Sequence, residues 1–282
     1  MAHGYTCVER FLDAAQEPTK ELTPIEGYEK TNLMTLEQSL QPMLAKLHNL
    51  ETMIKIAKRN SRKPVNGLTP DESAAIHLYT MQWSETHTSL YAMLNEALRC
   101  QNRRSLIQWF AYLKLFLTAL YKLPSFKGTI WRGVRGNMIE AFDEDLIWWG
   151  VSSCTEKLSI IEGFLGVEGE RTLFNIQCIN GKAIRAHSHF ETEEEILLMP
   201  GTYLQVVGKC RPSKDLHIIQ LREAPAPYQT IVPPFDTSSG NLPSLEPLVI
   251  SKESSKISTA SAAPAKSYGE MLLLIFFLQV YL

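Results

Sequence analysis

The spacing of apolar residues changes near Lys127 and divides the chain into two parts. Before that point apolar residues recur every three to four positions, which is the period of a helix with one buried face. This pattern predicts helices over 35–58, 70–82, 87–100 and 104–122. Because packing alone explains such apolar stripes, we assign no chemistry to the helical half.

Two of the predicted helices begin with capping sequences. Thr35 stands three residues before Gln38, and Thr69 stands three residues before Glu72. In a capping box of this kind, the two side chains satisfy backbone N–H groups at the helix start. Pro42 lies within the first apolar stripe, so we expect a kink or a later helix start there.

After Lys127 the apolar runs are short and end at turns. They are rich in β-branched and aromatic residues, which is typical of strands. The predicted strands cover 128–134, 146–153, 171–178, 181–186, 193–200, 202–209 and 216–223. Helices followed by mainly antiparallel strands indicate an α+β fold.

One of these strands begins with an acidic run, "FETEEEILLMP", at 190–200. If the run is extended, Glu193 and Glu195 lie on one face of the strand and Glu194 on the other. Burying a carboxylate beside an apolar core is costly unless a partner or a ligand compensates it. The alternative is a solvated loop with Glu195 exposed at a sheet edge.

Two other predicted strands contain polar residues. Arg132 interrupts the apolar run "IWRGV" and is followed by Gly133, where a ligand can approach the backbone closely. The sequence "SSCT" at 152–155 ends the next strand. Taken singly, these residues also fit an edge arginine and ordinary hydroxyls at a strand end.

Taken together, these residues resemble the R-S-ExE signature of the arginine-specific mono-ADP-ribosyltransferases. Arg132 stands in "WRGV", Ser153 opens "SCT", and Glu193 and Glu195 stand in "EEEILLMPG". Cys154 replaces the middle threonine of the family's Ser-Thr-Ser. The helical segments "YTMQW", "LNEAL" and "LPSFKGTIWRG" are also similar to the family, so the resemblance covers 65–223.

The resemblance implies an N-terminal helical region followed by a split antiparallel β-sandwich with NAD in a central cleft. In the NAD site, Arg132 is expected to hold phosphate or ribose oxygens and Ser153 to orient Glu195 or the ribose. Gly133 is expected to offer backbone groups to the nicotinamide. Cleavage of the nicotinamide–ribose bond builds positive charge on the sugar, as in glycoside hydrolysis. Glu195 is expected to stabilise that charge. The resemblance implies NAD as co-substrate, with NADP as the alternative, and no metal.

The resemblance also implies an acceptor, which is a protein with an exposed arginine. Glu193 is expected to bind the guanidinium group, and Phe190 to stack on it. Two alternatives stay open: an NAD glycohydrolase, with water as acceptor, and a non-catalytic module that binds NAD without releasing nicotinamide.

Composition and the chain ends complete the expectations. A net charge of −2 without an arginine-rich stripe argues against nucleic acid as a partner. The five widely spaced cysteines favour buried free thiols. We expect an N-terminal extension with a long helix at 1–64, the catalytic domain at 65–223, a disordered Pro/Ser-rich linker at 224–270 and an apolar tail at 271–282.

The tail and the N-terminus point to different compartments. The N-terminal segment does not resemble a secretory signal, which favours the cytoplasm. The apolar tail, with small residues and a polar spacer before it, resembles a glycolipid-anchor signal. Membrane anchoring or secretion is therefore the second alternative, and the tail could also tether an interaction protein.

Overall fold

The computed structural model of the protein describes residues 17–18, 20–84, 86–166 and 168–235. The α-helices in this part of the chain are α1 (Leu36–Ser39), α2 (Leu50–Asn60), α3 (Pro70–Thr80), α4 (Leu90–Arg99), α5 (Phe110–Lys122) and α6 (Leu158–Leu165). The strands are β1 (Ser125–Arg135), β2 (Leu146–Trp148), β3 (Ser152–Thr155), β4 (Arg171–Ala183), β5 (Glu195–Leu198), β6 (Thr202–Ser213) and β7 (Leu216–Glu223).

The predicted long helix over 35–58 is wrong, because the chain forms three separate pieces there. A 3-10 turn at Gln41–Met43 follows α1, and α2 begins only after Asn49, which has a left-handed conformation with φ of 52°. Pro42 in the turn has no N–H group to continue the helix. The stripe nevertheless identified the correct face, because Leu44 is half-buried and its other members are buried: Leu36, Leu40, Met43, Leu47, Leu50 and Ile54.

Both predicted capping boxes are confirmed. At Thr35 and at Thr69 the hydroxyl accepts from the backbone three residues later, and the Gln38 or Glu72 side chain accepts from the backbone in return. The helix predicted over 104–122 begins later than expected. A 3-10 turn at Arg103–Trp109 precedes α5, and its cap is the Asn102 side chain.

The strands form one seven-stranded sheet in the order β1-β3-β5-β4-β7-β6-β2, and β1 also pairs with β4. Every pairing is antiparallel except β4 with β7, which is parallel. The α+β expectation is therefore confirmed. Three predicted strands differ: 146–153 is divided into β2 and β3, whereas 171–178 and 181–186 are joined in one strand, β4, which ends at Ala183.

The break between β2 and β3 is fixed by contacts from the helical half. Asn95 in α4 bonds both backbone groups of Val151, with distances of 2.9 and 3.0 Å. Trp149 N–H donates to Glu17, which also pairs with Arg99. These side chains bind the backbone that a continuous strand would use in its ladder.

Two apolar cores lie in this part of the chain. The larger core includes α1–α5 together with Leu197 and Met199 from the sheet region. The smaller core lies within the sheet and contains Cys154, Phe174 and Ile196. Strand alternation explains the division, because Ile196 and Leu197 are neighbours in β5 and point to opposite faces.

Residues 224–235 depart from the predicted disordered linker. The N–H of Ile25 donates to Thr230 O at 2.8 Å, and that of Val232 donates to Ile25 O at 3.0 Å. Thr230 also bonds Gly201 O through its hydroxyl at 2.8 Å. This pairing provides the compensation that the composition did not reveal. The remainder of the predicted linker and the apolar tail lie outside the described residues.

The cysteine expectation holds for two of the four that the structure describes. Cys154 and Cys178 are buried free thiols, Cys100 is half-buried and Cys210 is exposed. Cys7 lies outside the described residues. No helix within the described ranges has the length and apolar character that crossing a membrane requires.

Candidate active site

Three neighbouring strands bring the predicted donor-site residues together. Trp131 of β1 is opposite Thr155 of β3, and Thr155 is in turn opposite Glu195 of β5. Arg132 follows Trp131, and Ser153 lies two residues before Thr155. The backbone ladder therefore places all three predicted residues within a short distance, although they are separated by up to 63 positions in sequence.

Arg132 is buried, with 1% of its surface exposed. Its Nη1 donates to Ser153 O at 2.7 Å, which links β1 to β3 through a side chain. The guanidinium carbon lies 5.8 Å from the centre of the Trp148 ring. Aromatic contact and a planar set of donors suit an arginine at a buried position better than a lysine.

Ser153 is also buried, and its hydroxyl has no hydrogen-bond partner among the described residues. A buried hydroxyl without a partner costs about 1–3 kcal/mol, so such groups are rare in native proteins. The predicted ligand offers ribose and phosphate oxygens that a hydroxyl can bond. The Ser153 hydroxyl therefore fits an NAD-binding position.

Glu195 is completely buried at the first position of β5. The pKa of the neighbouring Cys154 thiol depends on the charges around it. Burial raises the pKa of Cys154 to about 12, the Arg132 cation lowers it, and the Glu195 carboxylate raises it. Both charges thus act on one thiol, which places a cation and a carboxylate in the same poorly solvated region.

The predicted strand face carrying Glu193 and Glu195 is wrong. Glu191–Glu193 form a 3-10 turn, and Glu194 has a left-handed conformation with φ of 46° before β5 begins. Glu193 is buried in that turn, where its carbonyl accepts from Thr155 Oγ1 at 3.1 Å. The two predicted site glutamates therefore approach the site from different backbone conformations.

Glu194 has a different environment from its two neighbours. Its carboxylate pairs with Lys157 at 2.7 Å and with Arg185 at 3.1 Å near the surface. The hydrogen bond from Lys157 lowers the pKa of Glu194, and both cations act in the same direction. In the acidic run, therefore, Glu194 is ion-paired near the surface, whereas Glu193 and Glu195 on either side of it are buried.

Phe190 is half-buried at the start of the same turn. Its carbonyl accepts the N–H of Glu193 at 3.1 Å, and its ring meets the ring of His189 edge-on with centroids 4.7 Å apart. Phe190 and Glu193, which we expect to meet the acceptor, therefore belong to one short turn.

Gly133 has a packing explanation. A Cβ atom at this position would lie 2.6 Å from Leu165 Cδ1 and 2.7 Å from Ile161 Cγ2, both in α6. Any larger residue would push α6 away from β1. A backbone contact from Gly133 to nicotinamide stays a prediction.

Two residues of the site region were missed in the sequence. Trp148, at the end of β2, borders Arg132, and Asn95 fixes Val151, two positions before Ser153. Trp148 has no distinctive signal, because apolar strands commonly contain tryptophan. Asn95 does have one, since it is a polar residue within the apolar pattern of "YAMLNEAL".

A sequence model of the family described as NAD:arginine ADP-ribosyltransferase matches residues 6–226. The chain belongs to this family. Members use NAD as co-substrate and act on proteins, so the protein is an ADP-ribosyltransferase. Within the described residues, no group of three or more His, Cys, Asp or Glu side chains suits a metal ion.

Several solved structures resemble the chain more distantly. ADP-ribosyltransferase Vis of Vibrio splendidus, solved with agmatine, is 20% identical with a TM-score of 0.47, over 71% of this chain and 90% of that one. HopU1 of Pseudomonas syringae is 18% identical with a TM-score of 0.48, over 72% and 100%. The eukaryotic mono-ADP-ribosyltransferase ART2.2 is 18% identical with a TM-score of 0.49, over 68% and 85%. No curated protein sequence gave a significant match.

Proposed function

We propose that the protein transfers ADP-ribose from NAD to arginine side chains of proteins and releases nicotinamide. The observation that carries the proposal is the arrangement of two buried carboxylates. Glu195 lies on β5, in the ladder of three strands that also carries the buried Arg132 and Ser153, and Glu193 lies in the preceding turn. In this proposal the first carboxylate acts on the sugar and the second on a cationic acceptor.

NAD is held by Arg132 and Ser153. The arginine supplies forked donors for phosphate or ribose oxygens, and the unpartnered Ser153 hydroxyl supplies a further polar contact. NAD contributes the nicotinamide–ribose bond, whose cleavage leaves positive charge on the sugar. The Glu195 carboxylate stabilises that charge, and its complete burial limits screening by water.

Glu193 binds the incoming guanidinium group. A carboxylate accepts two parallel N–H bonds from arginine, which orients the group as well as attracting it. Phe190, in the same turn, offers an aromatic face to the guanidinium plane. A neutral or anionic acceptor gains neither the charge-assisted bonds nor the cation–π contact, so the turn favours a cationic acceptor such as arginine.

The test uses the purified full chain with NAD and the arginine analogue agmatine. ADP-ribosyl-agmatine and free ADP-ribose are measured for wild type, Glu195→Gln and Glu193→Gln. We expect Glu195→Gln to lose both products and Glu193→Gln to lose the adduct while keeping some hydrolysis. Glu194→Gln is the matched control, because that side chain is paired near the surface, and it should resemble wild type.

Two results would contradict the proposal. Free ADP-ribose as the sole product of wild type would identify an NAD glycohydrolase. NAD binding without nicotinamide release would identify a non-catalytic module.

A further inference from the structure

The loop between β4 and β5 is fastened to helix α3 by side chains. The N–H of His189 donates to Thr80 Oγ1 at 2.8 Å, and its Nδ1 lies 3.3 Å from His77 Nε2. His187 Nδ1 lies 2.9 Å from Ser73 Oγ. Ser73, His77 and Thr80 are spaced four and three residues apart, so one face of α3 holds the loop.

The hydrogen bonds determine which ring nitrogens carry protons. Asn60 Nδ2, which can only donate, lies 3.1 Å from His77 Nε2, so that nitrogen is an acceptor. His189 Nδ1 must therefore be the donor in the contact between the two rings. His77 also forms a hydrogen bond with the backbone of His187. His77 is thus a neutral ring whose Nε2 accepts.

The histidines border a polar cavity of about 210 Å³. Its titratable groups are His77 from α3 and His187, His189 and Glu191 from the loop, while α2 and the residue after it contribute the uncharged Asn60 and Ser61. Burial, followed by the nearby His189, lowers the pKa of His77 to about 4. The acceptor form of His77 therefore persists at neutral pH.

The fastened loop leads directly into the turn that contains Phe190 and Glu193. Phe190 follows His189 and contacts its ring, whereas the Glu193 carbonyl is held at the other end by Thr155 of β3. The turn is therefore held at both ends: the hydrogen bonds of His189 connect it to α3, and the hydrogen bond from Thr155 connects it to β3. We call these two connections its tethers. Releasing either tether allows the turn to move relative to Glu195.

We propose that His77 and His189 are positioning residues that hold Phe190 and Glu193 in place for the acceptor. The pair thereby determines how much ADP-ribose passes to arginine and how much to water. This inference rests on the function proposed above and names a determinant of its acceptor specificity.

Two variants of His189 test the role. His189→Leu removes the Nδ1 donor, whereas His189→Asn keeps an N–H group near the same position. Because this side chain is exposed, neither variant should prevent folding. We expect the ratio of ADP-ribosyl-agmatine to free ADP-ribose to fall about fivefold in His189→Leu, the effect of losing one hydrogen bond. Total nicotinamide release should change less than about twofold, and His189→Asn should restore most of the ratio.

A histidine outside the loop supplies the matched control. His87 bonds Ser84 and stacks on His48, so His87→Leu should leave the ratio unchanged.

The second readout is the dependence of the product ratio on pH. A proton on His77 Nε2 would face two N–H donors, so the wild-type ratio should hold between pH 7 and pH 5 and fall as the pH approaches 4, the pKa of His77. His77→Gln retains an uncharged acceptor and should flatten that dependence.

The outcomes separate this inference from the function on which it rests. If wild type forms no adduct, the proposed function fails. If wild type forms the adduct and His189→Leu keeps the same ratio, only the positioning role fails. A parallel loss of both products in His189→Leu would also overturn it, because that result indicates general structural damage.

Discussion

The two sides of the candidate active site are built by different means. The donor side, which consists of Arg132, Ser153 and Glu195, lies on three paired strands. The acceptor side, which consists of Phe190 and Glu193, lies in a turn held at its ends by side chains. A strand ladder distributes its constraint over many backbone bonds, whereas a tethered turn depends on a few contacts. The donor side is therefore the more rigid of the two.

The sharpest test of this difference shortens each glutamate by one methylene. Glu195→Asp retracts the carboxylate while the ladder keeps the backbone in place, so nicotinamide release should fall about 100-fold. Glu193→Asp sits in a turn that can move, so adduct formation should fall less than about tenfold. Initial rates with NAD and agmatine measure both effects. Equal losses in the two variants would mean that the sides are equally rigid.

The second test removes a support of the donor side. Asn95→Ala leaves the buried N–H of Val151 without its bond and leaves Val151 O with the Tyr79 hydroxyl as donor, which should cost roughly 2 kcal/mol of unfolding free energy. Urea denaturation measures the loss. Because Val151 supports the strand that carries Ser153, adduct and free ADP-ribose should fall together. A selective loss of adduct would assign Asn95 to the acceptor side instead.

The third test measures how the stability of the acceptor side depends on pH. The pKa of His77 is about 4 in the folded chain and 6.5 ordinarily, so the unfolded chain takes up the proton first as pH falls. The contribution of His77 to stability is complete above pH 6.5 and is lost between pH 6.5 and 4. At pH 5 the loss should be about 2 kcal/mol.

Urea midpoints of wild type and His77→Gln at pH 7 and pH 5 measure this contribution. Wild type should lose more stability than the variant over that interval. Identical losses would show that other groups dominate the acid response.

Much of the donor side was predictable because its residue types are unusual within strands. An arginine in "IWRGV" and glutamates beside "ILLMP" conflict with apolar patterning, and the family signature relates them to one another. The capping boxes were predictable because their bonds span three residues. Each of these signals can be recognised within a short stretch of sequence, either a helix start or a single strand.

The acceptor side was less predictable because long-range contacts determine it. Alternation placed Glu193 and Glu195 on one strand face, yet the turn at Glu191–Glu193 and the left-handed Glu194 separate them. The bond between His77 and His189 joins residues 112 positions apart. The break between β2 and β3 likewise depends on Asn95 and Glu17, which no local pattern connects to it.

The pairing of Ile25 with Thr230 and Val232 has a consequence for synthesis of the protein. During translation more than two hundred residues are added after Ile25 before Thr230 and Val232, the partners of its backbone groups, leave the ribosome. The Tyr28 hydroxyl donates to Val232 O, so its partner is also synthesised more than two hundred residues later. Closure over such a separation is slow relative to local helix formation. A ribosome stalled before Thr230 therefore presents a chain whose first segment is still unpaired and accessible to chaperones.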